Sequence, residues 1–154
     1  MFIGGRVHSV HMELDPNYIV GLTDGEGSFT AYAKNPDSLK QVKRRTKVEP
    51  RFFLKLIEKD KEILIKLKEY FGCGNVYFQV DNRVNHQNCY RYEVANRQDL
   101  EQIIIPFFER YSLRLRSKKG DFEIFCKILK MVLNKEHLKE SGLRKIYKLK
   151  QKMH

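Results

Sequence analysis

Asp24 and Glu26 flank a glycine at the end of the run Gly21-Leu22-Thr23-Asp24-Gly25-Glu26-Gly27, and a reactive centre can be built from them. The residues before them read as a helix. Asp15 offers an N-cap oxygen, and Pro16 has the fixed φ that suits the first helical position, where a missing N–H costs nothing. Tyr18, Ile19, Val20 and Leu22 make the next turn and a half apolar. Both acids then fall at the helix C-terminus, where the dipole disfavours negative charge. A bound cation would compensate. Phosphodiester hydrolysis is chemistry that a divalent cation serves well, since it activates water, neutralises charge at phosphorus and stabilises the leaving oxygen. Mg²⁺ suits a site with few carboxylates, because it completes its shell with waters and substrate phosphate oxygens.

The same helix carries Gly21 and Gly25, four residues apart and so on one face. A helical glycine costs about 1 kcal/mol relative to alanine. In return a second backbone can come very close, as it does where small residues join helices in membranes. A short core helix with a glycine-rich end would carry the same pattern. The string Ile19-Val20-Gly21-Leu22-Thr23-Asp24-Gly25-Glu26-Gly27 closely resembles the signature of the LAGLIDADG homing endonucleases, with Thr23 a mild departure and Glu26 in place of the commoner aspartate. The stretch Glu58 to Leu64 running into Tyr70-Phe71-Gly72, and the ending around Gly142-Leu143, resemble the same family.

That resemblance implies two such helices packed side by side, with Tyr18, Gly21, Leu22 and Gly25 in a homodimer interface. It implies that Glu26 is the catalytic metal ligand, with the Gly25 carbonyl as a second ligand. Mg²⁺ or Mn²⁺ would support cleavage, and Ca²⁺ would bind without supporting it efficiently. Asp24 would point elsewhere, onto backbone N–H groups near the helix junction. The family also places a basic side chain near the cleaved phosphate, from the segment before its long helix. Here that segment is Leu113 to Lys119; spacing from Asp121-Phe122 favours Arg116, with Lys118 close behind, although generic phosphate contact would suit both. A glutamine that often orders solvent from the second strand stands here as Leu56, which bears on the water network.

Charge points to the partner. The chain has 154 residues, with 30 Lys and Arg against 19 Asp and Glu, a formal net charge of +11. A polyanion is the expected partner, because each base that meets a phosphate releases counterions. No apolar run approaches the roughly 20 residues needed to span a membrane. Cys73, Cys89 and Cys126 show no CxxC spacing and read as reduced thiols; a zinc site on Cys73, His86 and Cys89 is conceivable from residue type alone. Residues 1–12 read as a loosely ordered extension and residues 13–154 as one domain.

The rest of the chain alternates. Ser28, Thr30, Tyr32 and Lys34 share one strand face, and Phe29, Ala31 and Ala33 the other. A loop follows, with Lys40, Lys43, Arg44, Arg45 and Lys47 crowded on its far side; phosphate contact is the expected use of that cluster. In the second strand Phe52, Leu54 and Leu56 point inward and Arg51, Phe53 and Lys55 outward. A helix capped by Asp60, with Ile63, Leu64, Leu67, Tyr70 and Phe71 on its stripe, stops at Gly72. Two more strands, with Tyr77 and Gln79 facing the same way as Arg91 and Glu93, are joined by a polar loop holding Arg83. A helix from Arg97 is expected to close at Pro106, and a longer one to run from Lys119 to Leu133 before a basic C-terminal helix.

The expected class is α+β, in the order α-β-β-α-β-β-α, with a one-sided antiparallel sheet. By the resemblance, that sheet lies along DNA, and Ser28, Thr30, Tyr32, Lys34, Lys43, Arg44, Arg45, Lys47, Arg51, Lys55, Tyr77, Gln79, Arg83, Arg91 and Glu93 face it. The implied function is a site-specific, intron-encoded DNA endonuclease that makes a staggered double-strand break in a pseudo-palindromic target. An RNA-binding maturase, or a DNA-binding regulator without catalysis, would share the fold. An organelle and a prokaryotic cytoplasm both fit.

Overall fold

The computed structural model describes residues 13–40 and 46–154; residues 1–12 and 41–45, which include Lys43, Arg44 and Arg45, lie outside the described residues. Helix α1 (Pro16–Glu26) starts as its residues dictate, with the Asp15 carboxylate accepting from the Asn17 N–H at 2.7 Å. Gly27 takes extended backbone directly into β1 (Gly27–Ala33). A Cβ at Gly27 would lie 2.6 Å from the Thr23 methyl carbon and 2.8 Å from its carbonyl oxygen, so no bulkier residue fits this turn. Strand β2 (Val48–Ile57) and helix α2 (Lys61–Phe71) follow, and Gly72 ends the helix in the left-handed region at φ 67°. Strands β3 (Asn75–Gln79) and β4 (Cys89–Val94) complete one antiparallel sheet in the order β1-β2-β4-β3.

The period-two alternation sorts the sheet into a dry face and a wet one. Phe29, Ala31, Phe52, Leu54, Tyr92 and Val94 are buried on one side. Helix α5 (Arg116–Leu133) covers those of β1 and β2 with Phe122, Phe125, Ile128, Leu129 and Val132, and α2 lies over β4, with the Phe71 ring stacked on Tyr92. The Phe29 ring lies 4.9 Å from Phe52, 5.3 Å from Phe108, 5.0 Å from Phe122 and 5.4 Å from Phe125, centroid to centroid. A second cluster, Ala31, Val48, Ile128, Val132, Leu143 and Ile146, seats helix α6 (Glu140–Gln151) beside β1.

Tertiary context overrides local pattern in four places. Pro106 does not close the helix that starts at Arg97: α3 (Arg97–Asp99) passes through a π turn (Leu100–Ile104) into α4 (Ile105–Arg110). The wider turn resets the hydrogen bonding ahead of the proline, which falls in the first turn of a new α segment and needs no N–H there. Asp60 stands before α2 but its side chain makes no capping bond. It ends the 3-10 turn Glu58–Asp60, with a backbone (φ −101°, ψ 12°) outside the extended region that aims a capping oxygen inward. Tyr70 is 42% exposed, and its ring packs on Phe71 and Phe107. Finally, α5 starts at Arg116, not Lys119, so Arg116 and Lys118 belong to its first turn. Among the described residues no helix is long and apolar enough to cross a membrane.

Candidate active site and nucleic-acid interface

Helix α1 has a buried side and an open one. Ile19, Val20, Thr23 and Asp24 face the interior. Gly21 and Gly25 are exposed, and a Cβ built on either meets nothing within 4 Å. Tyr18, 48% exposed, and half-buried Leu22 belong to the same helix. The glycines therefore make no close approach within this chain, and the open side remains available to another backbone.

The two acids diverge. Asp24 is buried, and its carboxylate accepts from the backbone N–H groups of Arg114 at 3.0 Å and Leu115 at 3.2 Å. These residues immediately precede α5, so one carboxylate clamps the end of α1 to the start of α5. Lys118, in the first turn of α5, donates its ammonium to the Gly27 carbonyl. The structure thus brings Lys118, rather than the exposed Arg116, onto the peptide that follows Glu26. Glu26, the last residue of α1, is exposed. Asp24→Ala removes the acceptor of these two part-buried N–H groups, at about 1 kcal/mol for each hydrogen bond lost. The expected result is a lower urea midpoint with an unchanged slope; an unchanged midpoint would show that the clamp does not hold α5.

The donors at this helix end are oxygens only: the Glu26 carboxylate and the last carbonyls of α1, Gly25 among them, which an α-helix leaves without intrahelical partners. That set fits a hard divalent cation. Among the described residues no three His, Cys, Asp or Glu side chains gather at one point, Cys73, His86 and Cys89 included. One acid per chain suits a cation that takes its other ligands from water and substrate phosphate. Burial pushes the Cys73 thiol up, and that of Cys126 up to about 12.

The wet face of the sheet begins at the same junction. Ser28, Thr30 and Tyr32 on β1 stand opposite Phe53, Arg51 and Glu49 on β2. Glu93 and Arg91 on β4 stand opposite Phe53 and Lys55 on one side, and opposite Asn75 and Tyr77 of β3 on the other. Gln79 stands opposite Cys89. Lys34, just past β1, donates its backbone N–H to the carbonyl of exposed Lys47 at 2.8 Å. Arg83 folds onto Asp81 inside the β3–β4 loop, with Nε at 2.9 Å, and holds that carboxyl well below the usual carboxylate range. The face also contains a cation that strand patterns could not reveal: Lys150 of α6 reaches Thr30 Oγ1 at 3.1 Å. Arg144 of the same helix forks onto Asp37 in the β1–β2 connection at 2.8 and 3.0 Å. The basic side of α6 was the available signal, but only its seat beside β1 shows where that side goes.

Comparison with known proteins agrees with this geometry. The sequence profile of the LAGLIDADG endonuclease family matches residues 19–129. "Probable intron-encoded endonuclease 2" of Neurospora crassa is 35% identical over 134 residues, which are 86% of this chain and 28% of that protein. "Homing endonuclease I-ApeII" of Aeropyrum pernix is 30% identical over 73% of this chain and 60% of its own length. Among solved structures, the homing endonuclease I-TnaI superposes with a TM-score of 0.74 at 33% identity, covering 93% of this chain and 90% of that one. I-SmaMI "bound to uncleaved DNA target in the presence of Calcium ions" gives 0.77 at 34% identity, over 92% of this chain and 45% of that one. The chain therefore spans about a quarter of the Neurospora protein and under half of I-SmaMI.

Proposed function

This chain belongs to the LAGLIDADG endonuclease family, and from that premise we propose that it is a site-specific, intron-encoded homing endonuclease that makes a staggered double-strand break in a long pseudo-palindromic DNA target. The observation that carries this reading is a convergence at one junction. An exposed acid ends α1, an ammonium sits on the next peptide, and a polar, cation-bearing sheet face starts there. Two relatives, one named as intron-encoded and another solved bound to DNA, support it.

Two copies pack through the open glycine side of α1, bringing the two Glu26 residues near a common two-fold axis. Glu26 and the Gly25 carbonyl would hold Mg²⁺ beside the scissile phosphate. When bound, that ion supplies an activated water and neutralises charge at phosphorus. Lys118, fixed on the Gly27 carbonyl, keeps further ammonium N–H groups for the phosphate or its attacking water, and Arg116 adds positive charge from the same turn. Close packing of the helices keeps the acids close, so the cuts face each other across the narrow minor groove and leave a short stagger. I-SmaMI, about twice the length matched here, has room in one chain for two such units, which is consistent with a paired arrangement.

Target length follows from the sheet. Strands β1 and β2 have 7 and 10 residues. At about 3.3 Å per residue they run about 23–33 Å, or about 7–10 base pairs at about 3.4 Å each. Two subunits and a central gap give a site of roughly 20 base pairs with two-fold pseudo-symmetry. The test is selection from a randomised double-stranded DNA pool, followed by footprinting and cleavage with Mg²⁺, Mn²⁺, Ca²⁺ or chelator. A protected tract of only a few base pairs contradicts the sheet-on-DNA reading. A wild-type protein that binds but never cuts with Mg²⁺ or Mn²⁺ transfers the assignment to a regulator, or to a maturase if it prefers the intron RNA.

A further inference from the structure

Three side chains at the middle of the wet face are already committed to one another. Glu93 lies between two arginines: its Oε1 is 3.4 Å from Arg51 NH1, and its Oε2 is 2.7 Å from Arg91 NH2. Arg51 also meets Glu49 at 2.8 Å. The Arg91 guanidinium lies over the Phe53 ring, with Cζ 3.6 Å from the centroid. Its Nε is enclosed and has no hydrogen-bond partner among the described residues. Side-chain exposure rises from 13% at Glu93 through 20% at Arg91 to 36% at Arg51, so the carboxylate is the recessed member and the guanidinium groups stand above it.

Resting on the reading that this face meets DNA, we infer that Arg51, Glu93 and Arg91 act as one reading unit, in which Glu93 positions two guanidinium groups and does not itself contact a base. Arg91 gives Glu93 one nitrogen, Arg51 gives one to Glu93 and one to Glu49, and each guanidinium retains further N–H donors. Two such forks recognise guanine O6 and N7 in the major groove. A carboxylate that holds both within ion-pair distance keeps them over neighbouring base pairs, which stack about 3.4 Å apart. Stacking on Phe53 fixes the plane of the Arg91 fork, and a planar fork loses little freedom on binding. The ligand of the unit is therefore a pair of neighbouring guanine-bearing base pairs, read jointly.

A free Glu93 would instead accept from one cytosine N4 and specify one base pair. The experiment separates the two. The wild-type protein is used to enrich a site from a randomised double-stranded DNA pool, and affinities are then measured for every single and paired base substitution in one half-site. Joint reading makes two neighbouring positions non-additive in the wild type. Glu93→Gln is expected to lower discrimination about tenfold at both positions together. It should also strengthen binding to unrelated DNA and steepen its salt dependence, because two arginines are released to phosphates. Phe53→Leu leaves every charge in place and is expected to relax the same two positions. Loss confined to one base pair, or additive losses in the wild type, overturns the joint unit and leaves the endonuclease reading intact. A wild-type protein that enriches no sequence overturns both.

Discussion

Glu26→Gln is expected to leave the protein on its target and unable to cut it. The amide keeps the shape of the side chain and removes the charge proposed to hold the cation, at an exposed position that supports no packing. Charge stabilisation by a catalytic metal is worth several kcal/mol, so cleavage should fall by about a thousandfold or more. Binding should persist, because affinity for DNA comes from phosphate contacts spread over the basic surface. In chelator the variant should bind as tightly as wild type or more tightly, since two uncompensated carboxylates near the axis repel phosphate. Adding Mg²⁺ should then tighten the wild type alone. Lys118→Met is expected to slow cleavage more than Arg116→Ala, because the Lys118 ammonium sits on the Gly27 carbonyl at the α1–β1 junction while Arg116 stands exposed. A plasmid carrying the selected site provides the assay. Wild-type cleavage by Glu26→Gln would show that another group holds the metal.

Gly21→Leu is expected to give a folded monomer. A Cβ at Gly21 meets nothing within 4 Å in the chain itself, and leucine is the better helix former by somewhat under 1 kcal/mol. The thermal midpoint of the subunit should therefore hold or rise slightly. The leucine side chain would fill the space that a second α1 enters in the proposed dimer, so association should weaken enough to halve the sedimenting mass at micromolar concentration. Cleavage of both strands should be lost with it. A wild-type protein that sediments as a monomer at that concentration would refute pairing through α1.

Features with a short-range cause were legible in the sequence. Asp15 and Pro16 start α1 by their own chemistry, and the alternation of Ser28, Phe29, Thr30 and Ala31 assigns the two faces of β1. Hidden features needed a partner far along the chain. The start of α5 is set by Asp24, some 90 residues earlier. Spacing therefore favoured Arg116, whereas placement of the helix puts Lys118 against Gly27. Lys150 reaches the wet face because α6 seats beside β1, which no local pattern specifies. Pro106 misled because a π turn accommodates it.

The alternation of dry and wet residues along β1, β2 and β4 governs how such a protein can change over generations. On the proposed reading, substitutions at Thr30 or Lys55 would alter what the sheet recognises without disturbing Phe29 or Leu54 one step away, so a lineage could follow a drifting target while its folding free energy stays nearly constant. The Arg51–Glu93–Arg91 network would make one sector an exception. There a change in any one member unsettles two others, and the matching base pairs would be the slowest part of the target to be exchanged.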